Sequence, residues 1–222
     1  MKPLIVANWK CNPASLKEGR EILNVIAKDI ESQQNVEAVI CPPFVYLDIL
    51  KMEYGGLVFG SQDCFWEDGG PYTGEISPSM LKKLGVEYVI VGHSERRKYH
   101  KETDEIIAKK VKAALDVGLK PILCVDRISQ IPEDSQHLII AFEPLSAVGT
   151  GRPYEVHEAA KMYSSIRQIS GEETVILYGG SVNPINASSY IKEAGFQGLL
   201  VGGASLRPKE FIDIVKAACY SE

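Results

Sequence analysis

An α/β fold is expected for this sequence, with eight parallel strands closed into a (β/α)8 barrel and one domain spanning residues 1–222. Three observations lead there. Eight short, apolar, mostly β-branched runs recur along the chain, of the kind that suits strands buried on both faces. Helical signals fill most of the gaps between them, as parallel neighbours joined by crossovers require. Polar, glycine-rich stretches follow strands along the whole chain, which is how a barrel gathers residues at one end. An open doubly wound sheet would concentrate them at one or two switch points, and no G-x-G-x-x-G follows the first strand.

The runs are Leu4–Ala7, Val36–Ile40, Leu57–Phe59 and Tyr88–Val91, then Pro121–Val125, Leu138–Phe142, Val175–Tyr178 and Leu199–Val201. After the first, Ser15-x-x-Glu18 makes a capping box, and Ile22, Val25, Ile26 and Ile30 continue an apolar helical stripe. Ser77-Pro78 starts a short helix that Gly85 ends. Between Thr103 and Gly118, Ile107, Val111, Ala114 and Leu115 share a helical face. Asn183-Pro184 starts a helix ended by Gly195, and Phe211, Ile214, Val215 and Ala218 mark the last one. The crossover between the fifth and sixth strands is shortened. Only the segment Asp126 to His137 is available, with Pro132 inside it, so no more than a turn or two of helix fits.

Composition narrows the function classes. Hydrophobic residues make up 45% and charged residues 24% of 222, which is ordinary globular composition. A net charge of -5 argues against nucleic acid and anionic membrane as partners, while leaving room for a local anion pocket. The five cysteines are scattered without C-x-x-C spacing, so neither a disulfide framework nor a zinc site is expected, and a reducing, cytoplasmic location suits them. The apolar run Leu4 to Ala7 is too short for a signal peptide or a membrane span. Asn186-Ala187-Ser188 matches a glycosylation acceptor, read as chance without secretion.

Four strand ends carry chemistry. Lys10 follows the first strand, where it either marks a solvated end or aims its ammonium at an anion. His93 follows the fourth, ahead of Ser94-Glu95-Arg96-Arg97. If those residues begin a helix, its positive end lowers the imidazole pKa and favours a neutral ring that can donate to a carbonyl oxygen. The plainer reading is a capping histidine beside surface ion pairs. Glu143 follows the sixth strand, where desolvation would raise its pKa and make it a better base. The small residues and glycines after it suit a lid, or an ordinary loop. Gly179-Gly180-Ser181 and Gly202-Gly203 follow the last two strands, where paired glycines let backbone N–H groups approach an oxyanion.

In family order, the stretches Ala7–Lys10, Tyr72–Ser77, Val91–Arg97, Phe142–Gly151, Tyr178–Val182 and Val201–Leu206 resemble those of the triosephosphate isomerases, over essentially the whole chain. The resemblance implies a TIM barrel and the interconversion of dihydroxyacetone phosphate and D-glyceraldehyde 3-phosphate, in glycolysis and gluconeogenesis, without cofactor or metal. It implies that Glu143 moves the proton, that His93 is the neutral electrophile and that Lys10 supplies positive charge, roles this enzyme illustrates as a standard case. By the same resemblance Asn8 positions substrate, Gly149, Ser181, Gly202 and Gly203 bind its phosphate, and Glu95 supports His93. A homodimer is implied, with Thr73 reaching toward the partner's site.

Two departures from the family pattern stand out. Ser146 occupies a lid position where a tryptophan is common, and Asp126-Arg127 stands where Gly-Glu is usual, at the start of the clipped crossover. Another phosphate-binding barrel enzyme, or a catalytically silent barrel, would share the glycine pairs. Neither would be expected to combine Lys10, His93 and Glu143.

Overall fold

Alternation within each strand sets the architecture. In a strand successive side chains face opposite ways, and here both faces are apolar. The computed structural model describes residues 2–135, 138–147, 149 and 151–219. Its strands are β1 (Leu4–Asn8), β2 (Glu37–Cys41), β3 (Val58–Ser61), β4 (Tyr88–Val91), β5 (Lys120–Val125), β6 (Ile139–Phe142), β7 (Val175–Tyr178) and β8 (Gly198–Val201). Each pairs in parallel with its sequence neighbours, and β1 closes on β8 through Leu4↔Gly198 to Ala7↔Val201, giving one closed barrel.

One face of each strand fills the barrel. Leu4, Val6, Val39, Cys41, Tyr88, Ile90, Ile122, Cys124, Ala141, Leu177 and Leu200 form that inner cluster. The alternate residues, among them Ile5, Ile40, Val89, Val91, Leu123, Ile140, Phe142, Ile176 and Leu199, face outward into a larger cluster against the helices. Extending the inward phase past the C-terminal strand ends reaches Asn8 and then Lys10 after Val6, Glu143 after Ala141, Gly179 after Leu177 and Gly202 after Leu200. The strand period therefore aims these residues into the barrel mouth.

The crossovers carry α1 (Leu16–Ser32), α2 (Phe44–Glu53), α3 (Pro78–Lys83), α4 (Ser94–Tyr99), α5 (Asp104–Asp116), α6 (Val156–Ser170), α7 (Ala187–Lys192) and α8 (Pro208–Ala218). Ser15 caps α1 by accepting from the Glu18 N–H, and Ser77 caps α3 by accepting from the Met80 N–H. The start expected at Asn183-Pro184 is corrected. Asn183 Oδ1 accepts from the N–H groups of Ile185 and Asn186, forming a turn, and the helix begins only at Ala187. Asn186 is engaged on both sides of its amide, donating to Ser181 O and accepting from Asn183 N–H, so its sequon match has a structural occupation.

Between β5 and β6 the described residues form a single turn of 3₁₀ helix, Ile128–Gln130, and no α-helix. Gln130 Oε1 accepts from the Asp126 N–H and closes that turn. His137, at the far end of this segment, lies outside the described residues, as do Val148 and Thr150 of the Phe142–Gly151 stretch.

Candidate active site

The mouth at the C-terminal ends of the strands opens into a cavity of about 390 Å³. Asn8, Lys10, His93, Glu143, Gly149, Ser181, Gly202 and Gly203 all line it. Of the expected residues, Thr73 is not among them. It is exposed on the long loop between β3 and α3.

Lys10 holds a left-handed backbone, φ 55°, which is uncommon for a residue with a side chain. Its surroundings fix that conformation. Asn8 Oδ1 accepts from the Lys10 N–H at 3.0 Å, and Gln62 Nε2 donates to Lys10 O at 2.8 Å and to Cys41 O at 2.9 Å. The ammonium then meets Glu95 Oε1 at 2.5 Å. Gln62 was not legible as a site residue. Its one signal is its inward phase two positions beyond Gly60 on β3.

His93 is delivered by Gly92, which turns the chain at φ 73° after β4. Arg97 secures that turn by donating to Gly92 O at 2.8 Å and to Cys124 O at 3.3 Å, tying the ends of β4 and β5. His93 is the N-cap of α4, and its Nδ1 accepts from the Glu95 N–H at 3.2 Å. An N–H pointing at Nδ1 needs that nitrogen's lone pair, so the ring proton belongs on Nε2. Nε2 faces Glu143 Oε1 at 3.0 Å, and Glu143 Oε2 accepts from the Ser94 N–H at 3.1 Å. Both side chains are buried, His93 5% and Glu143 2% exposed.

The two expected pKa directions are reversed in this arrangement. For His93, burial disfavours the imidazolium, yet the adjacent Glu143 carboxylate outweighs it and the net shift is upward. For Glu143, burial pushes the pKa up, but His93, the Ser94 N–H and Lys10 together hold it below the usual carboxylate value. Sequence shows burial and a helix start but not which groups face each other. A consequence can be checked by NMR titration of the imidazole. Glu143→Gln removes the charge that supports the imidazolium while burial stays, so the His93 pKa should fall; an unchanged or higher value would contradict the assignment.

The other end of the cavity is glycine-lined. A side chain at Gly179 would sit 2.9 Å from Glu143 Cγ, so glycine there makes room for the carboxylate. At Gly203 a Cβ would meet no protein atom within 4 Å, and its φ is not one that demands glycine. Protein packing thus gives no reason for glycine at Gly203, whereas a ligand approaching the backbone would. Arg207 and Asn183 also line this end and were not singled out from sequence as site residues. Arg207 is paired with Glu210 at 2.6 and 2.7 Å. Among the described residues, no group of three or more His, Cys, Asp or Glu side chains could hold a metal ion. No described helix is long and apolar enough to cross a membrane.

Comparison with known proteins gives one consistent result. A family model described as triosephosphate isomerase matches residues 3–218. The triosephosphate isomerase of Aquifex aeolicus is 41% identical over 245 aligned positions, covering 97% of this chain and 99% of that protein. That of Alkaliphilus oremlandii is 40% identical, covering 96% and 98%. These alignments run longer than the 222 residues here, so the relatives carry insertions, in keeping with the clipped crossover. The crystal structure of triosephosphate isomerase from Bartonella henselae superposes with a TM-score of 0.85 at 33% identity, covering 98% of this chain and 99% of that one. With sequence, fold and full-length coverage in agreement, the chain belongs to the triosephosphate isomerase family of enzymes.

Proposed function

We propose that the protein interconverts dihydroxyacetone phosphate and D-glyceraldehyde 3-phosphate through an enediolate, with Glu143 as the base and His93 as a neutral electrophile. The observation that carries this reading is the buried Glu143–His93 pair. The carboxylate is kept ionised, and the imidazole is held in the tautomer that presents an N–H into the cavity. Lys10 stands in the same cavity as a fixed positive charge.

In the described arrangement these groups satisfy one another, so substrate must displace their mutual bonds. Once Glu143 turns from His93 and Ser94 toward the carbon beside the carbonyl, it loses the donors that hold its pKa down while remaining buried. Its basicity rises where the proton is taken. His93, still buried but no longer facing the carboxylate that raised its pKa, then favours the neutral ring. Its Nε2–H donates to the oxygen on which charge develops, while the Lys10 ammonium stabilises the same oxyanion. Glu143 returns the proton to the neighbouring carbon. Asn8 positions substrate, and Gly149, Ser181, Gly202 and Gly203 supply the phosphate end, where Ser181 Oγ already donates to Ala147 O of the lid at 2.6 Å. Glu95 supports the site by holding the Lys10 ammonium and donating its N–H to His93.

Isomerisation run in D₂O tests the enediolate. Product formed from dihydroxyacetone phosphate should carry deuterium at C2 of glyceraldehyde 3-phosphate, because a proton resting on a carboxylate exchanges with solvent. Complete retention of substrate hydrogen would point to a hydride shift and remove the role of Glu143.

The protein is further proposed to act as a homodimer, in the cytoplasm, within glycolysis and gluconeogenesis. The exposed loop carrying Thr73 supports the dimer, with the Phe65 ring packed at a tilt against Trp66 and Tyr72, centroids 4.0 and 4.8 Å away, as do the exposed apolar side chains Val45 and Met80. Sedimentation equilibrium should give twice the chain mass; a fully active monomer would contradict the placement of Thr73 near a partner's Lys10 and His93.

A further inference from the structure

We propose that the Tyr190 hydroxyl is a positioning group for the lid, fixing its C-terminal hinge at Tyr154; the inference rests on the isomerase reading above. The loop from β6 to α6 leaves the barrel at Glu143 and returns at Tyr154-Glu155, with Gly149 and Gly151 at positive φ in between. Such glycines let the middle of a loop change direction, but motion is directed only if an end is anchored. Tyr154 is anchored through both backbone groups. Its N–H donates to Tyr178 Oη at 3.3 Å, and its carbonyl accepts from Tyr190 Oη at 2.5 Å.

The two anchoring rings are themselves one unit. Tyr178 and Tyr190 are fully buried and stacked, with centroids 3.7 Å apart and planes 15° from parallel, and Phe196 packs edge-on to Tyr178. Tyr178 ends β7, and its hydroxyl passes so close to Gly180 that a Cβ there would lie 2.1 Å from it. Tyr190 belongs to α7, whose N-cap Asn186 donates to Ser181 O. The stack therefore joins the hinge residue to the Gly180–Ser181 backbone of the cavity. Removal of the Tyr190 hydroxyl leaves the ring stack in place and frees the Tyr154 carbonyl, so the lid closes less firmly over the phosphate.

A loosened lid has a distinct chemical signature. If the enediolate is not enclosed, the C–O bond to the phosphate breaks with its electron pair leaving on phosphate, and the remaining three-carbon enol ketonises to methylglyoxal. The test is Tyr190→Phe in the full-length protein, read as methylglyoxal and inorganic phosphate released per isomerisation turnover, with KM, kcat and thermal midpoint measured alongside. The expected result is an elimination ratio raised about three- to tenfold, the size of one lost hydrogen bond, with KM raised. Tyr190→Leu, which also lacks the hydroxyl, should raise the ratio in the same direction whatever its stability. An elimination ratio equal to wild type in both variants would overturn the inference, even if the thermal midpoint falls, since a purely structural tyrosine would lower stability alone. Wild-type protein inactive toward either triose phosphate would instead refute the isomerase reading.

Discussion

Glu143→Gln should lower kcat by about 10³- to 10⁴-fold, or roughly 4 to 5.5 kcal/mol in activation free energy, while leaving competitive inhibition by inorganic phosphate within about twofold. The amide keeps the shape of the carboxylate, but only its one oxygen can accept, so it keeps either the bond from His93 Nε2–H or that from the Ser94 N–H of the two that hold Glu143 in the described arrangement. What it cannot do is take a proton from carbon. Because the glycine-lined end of the cavity is untouched, phosphate binding measures whether the site still stands. Steady-state kinetics with a coupled assay gives both numbers. A loss below tenfold would mean that another group is the base.

Lys110→Met should destabilise the fold by about 3–5 kcal/mol, the cost of leaving a buried charge network uncompensated. Lys110 is 2% exposed and bonds both Asp63 oxygens at 2.8 Å and Glu102 Oε1 at 2.6 Å. Arg96, on α4, meets the same two acids at 2.8 and 2.6 Å but lies nearer the surface. Two buried carboxylates would then share one cation. Burial already lifts Asp63 to about 6, while Glu102, which burial would also raise, is held below its usual value by Lys110 and Arg96. Without Lys110 both pKa values should rise. A carboxyl whose folded pKa exceeds its unfolded one binds protons more readily when folded, so its contribution improves as pH falls through the folded pKa toward the unfolded one. The deficit measured by urea unfolding should accordingly be smaller at pH 5 than at pH 7.5. An equal deficit at both values would show that lost packing, not unpaired charge, is responsible.

The barrel was legible because its signals are local. Each strand is an uninterrupted apolar run, and the same period that buries Val6, Ala141 and Leu200 carries Lys10, Glu143 and Gly202 into one mouth. Helices with side-chain caps were legible for the same reason, as at Ser15 and Ser77. α2 and α6 were not, since neither has a side-chain cap at its N-terminus. α2 also starts directly after Pro42-Pro43 and is apolar enough to blur its helical stripe. The turn built by Asn183 and Asn186 imitated a helix start because the same side chains serve both.

What sequence could not carry is pairing across the fold. Asp63, Arg96, Glu102 and Lys110 look like four unrelated surface charges until the β3 end, α4 and α5 converge. Gln62 reaches Cys41 O and, beyond it, Lys10 O only because β1, β2 and β3 lie side by side in that order. The reversed pKa directions of His93 and Glu143 have the same origin. Burial and a helix N-terminus are readable from strand ends, but the facing of one side chain on the other is a tertiary fact. The clipped crossover was legible from length alone, whereas the 3₁₀ turn closed by Gln130 was not.

The most direct measurement is a coupled assay of dihydroxyacetone phosphate isomerisation by the purified wild-type protein. Turnover in both directions, abolished to within the stated residue by Glu143→Gln and requiring no added metal or cofactor, is the expected result. Well-folded protein that turns over neither triose phosphate would contradict the account.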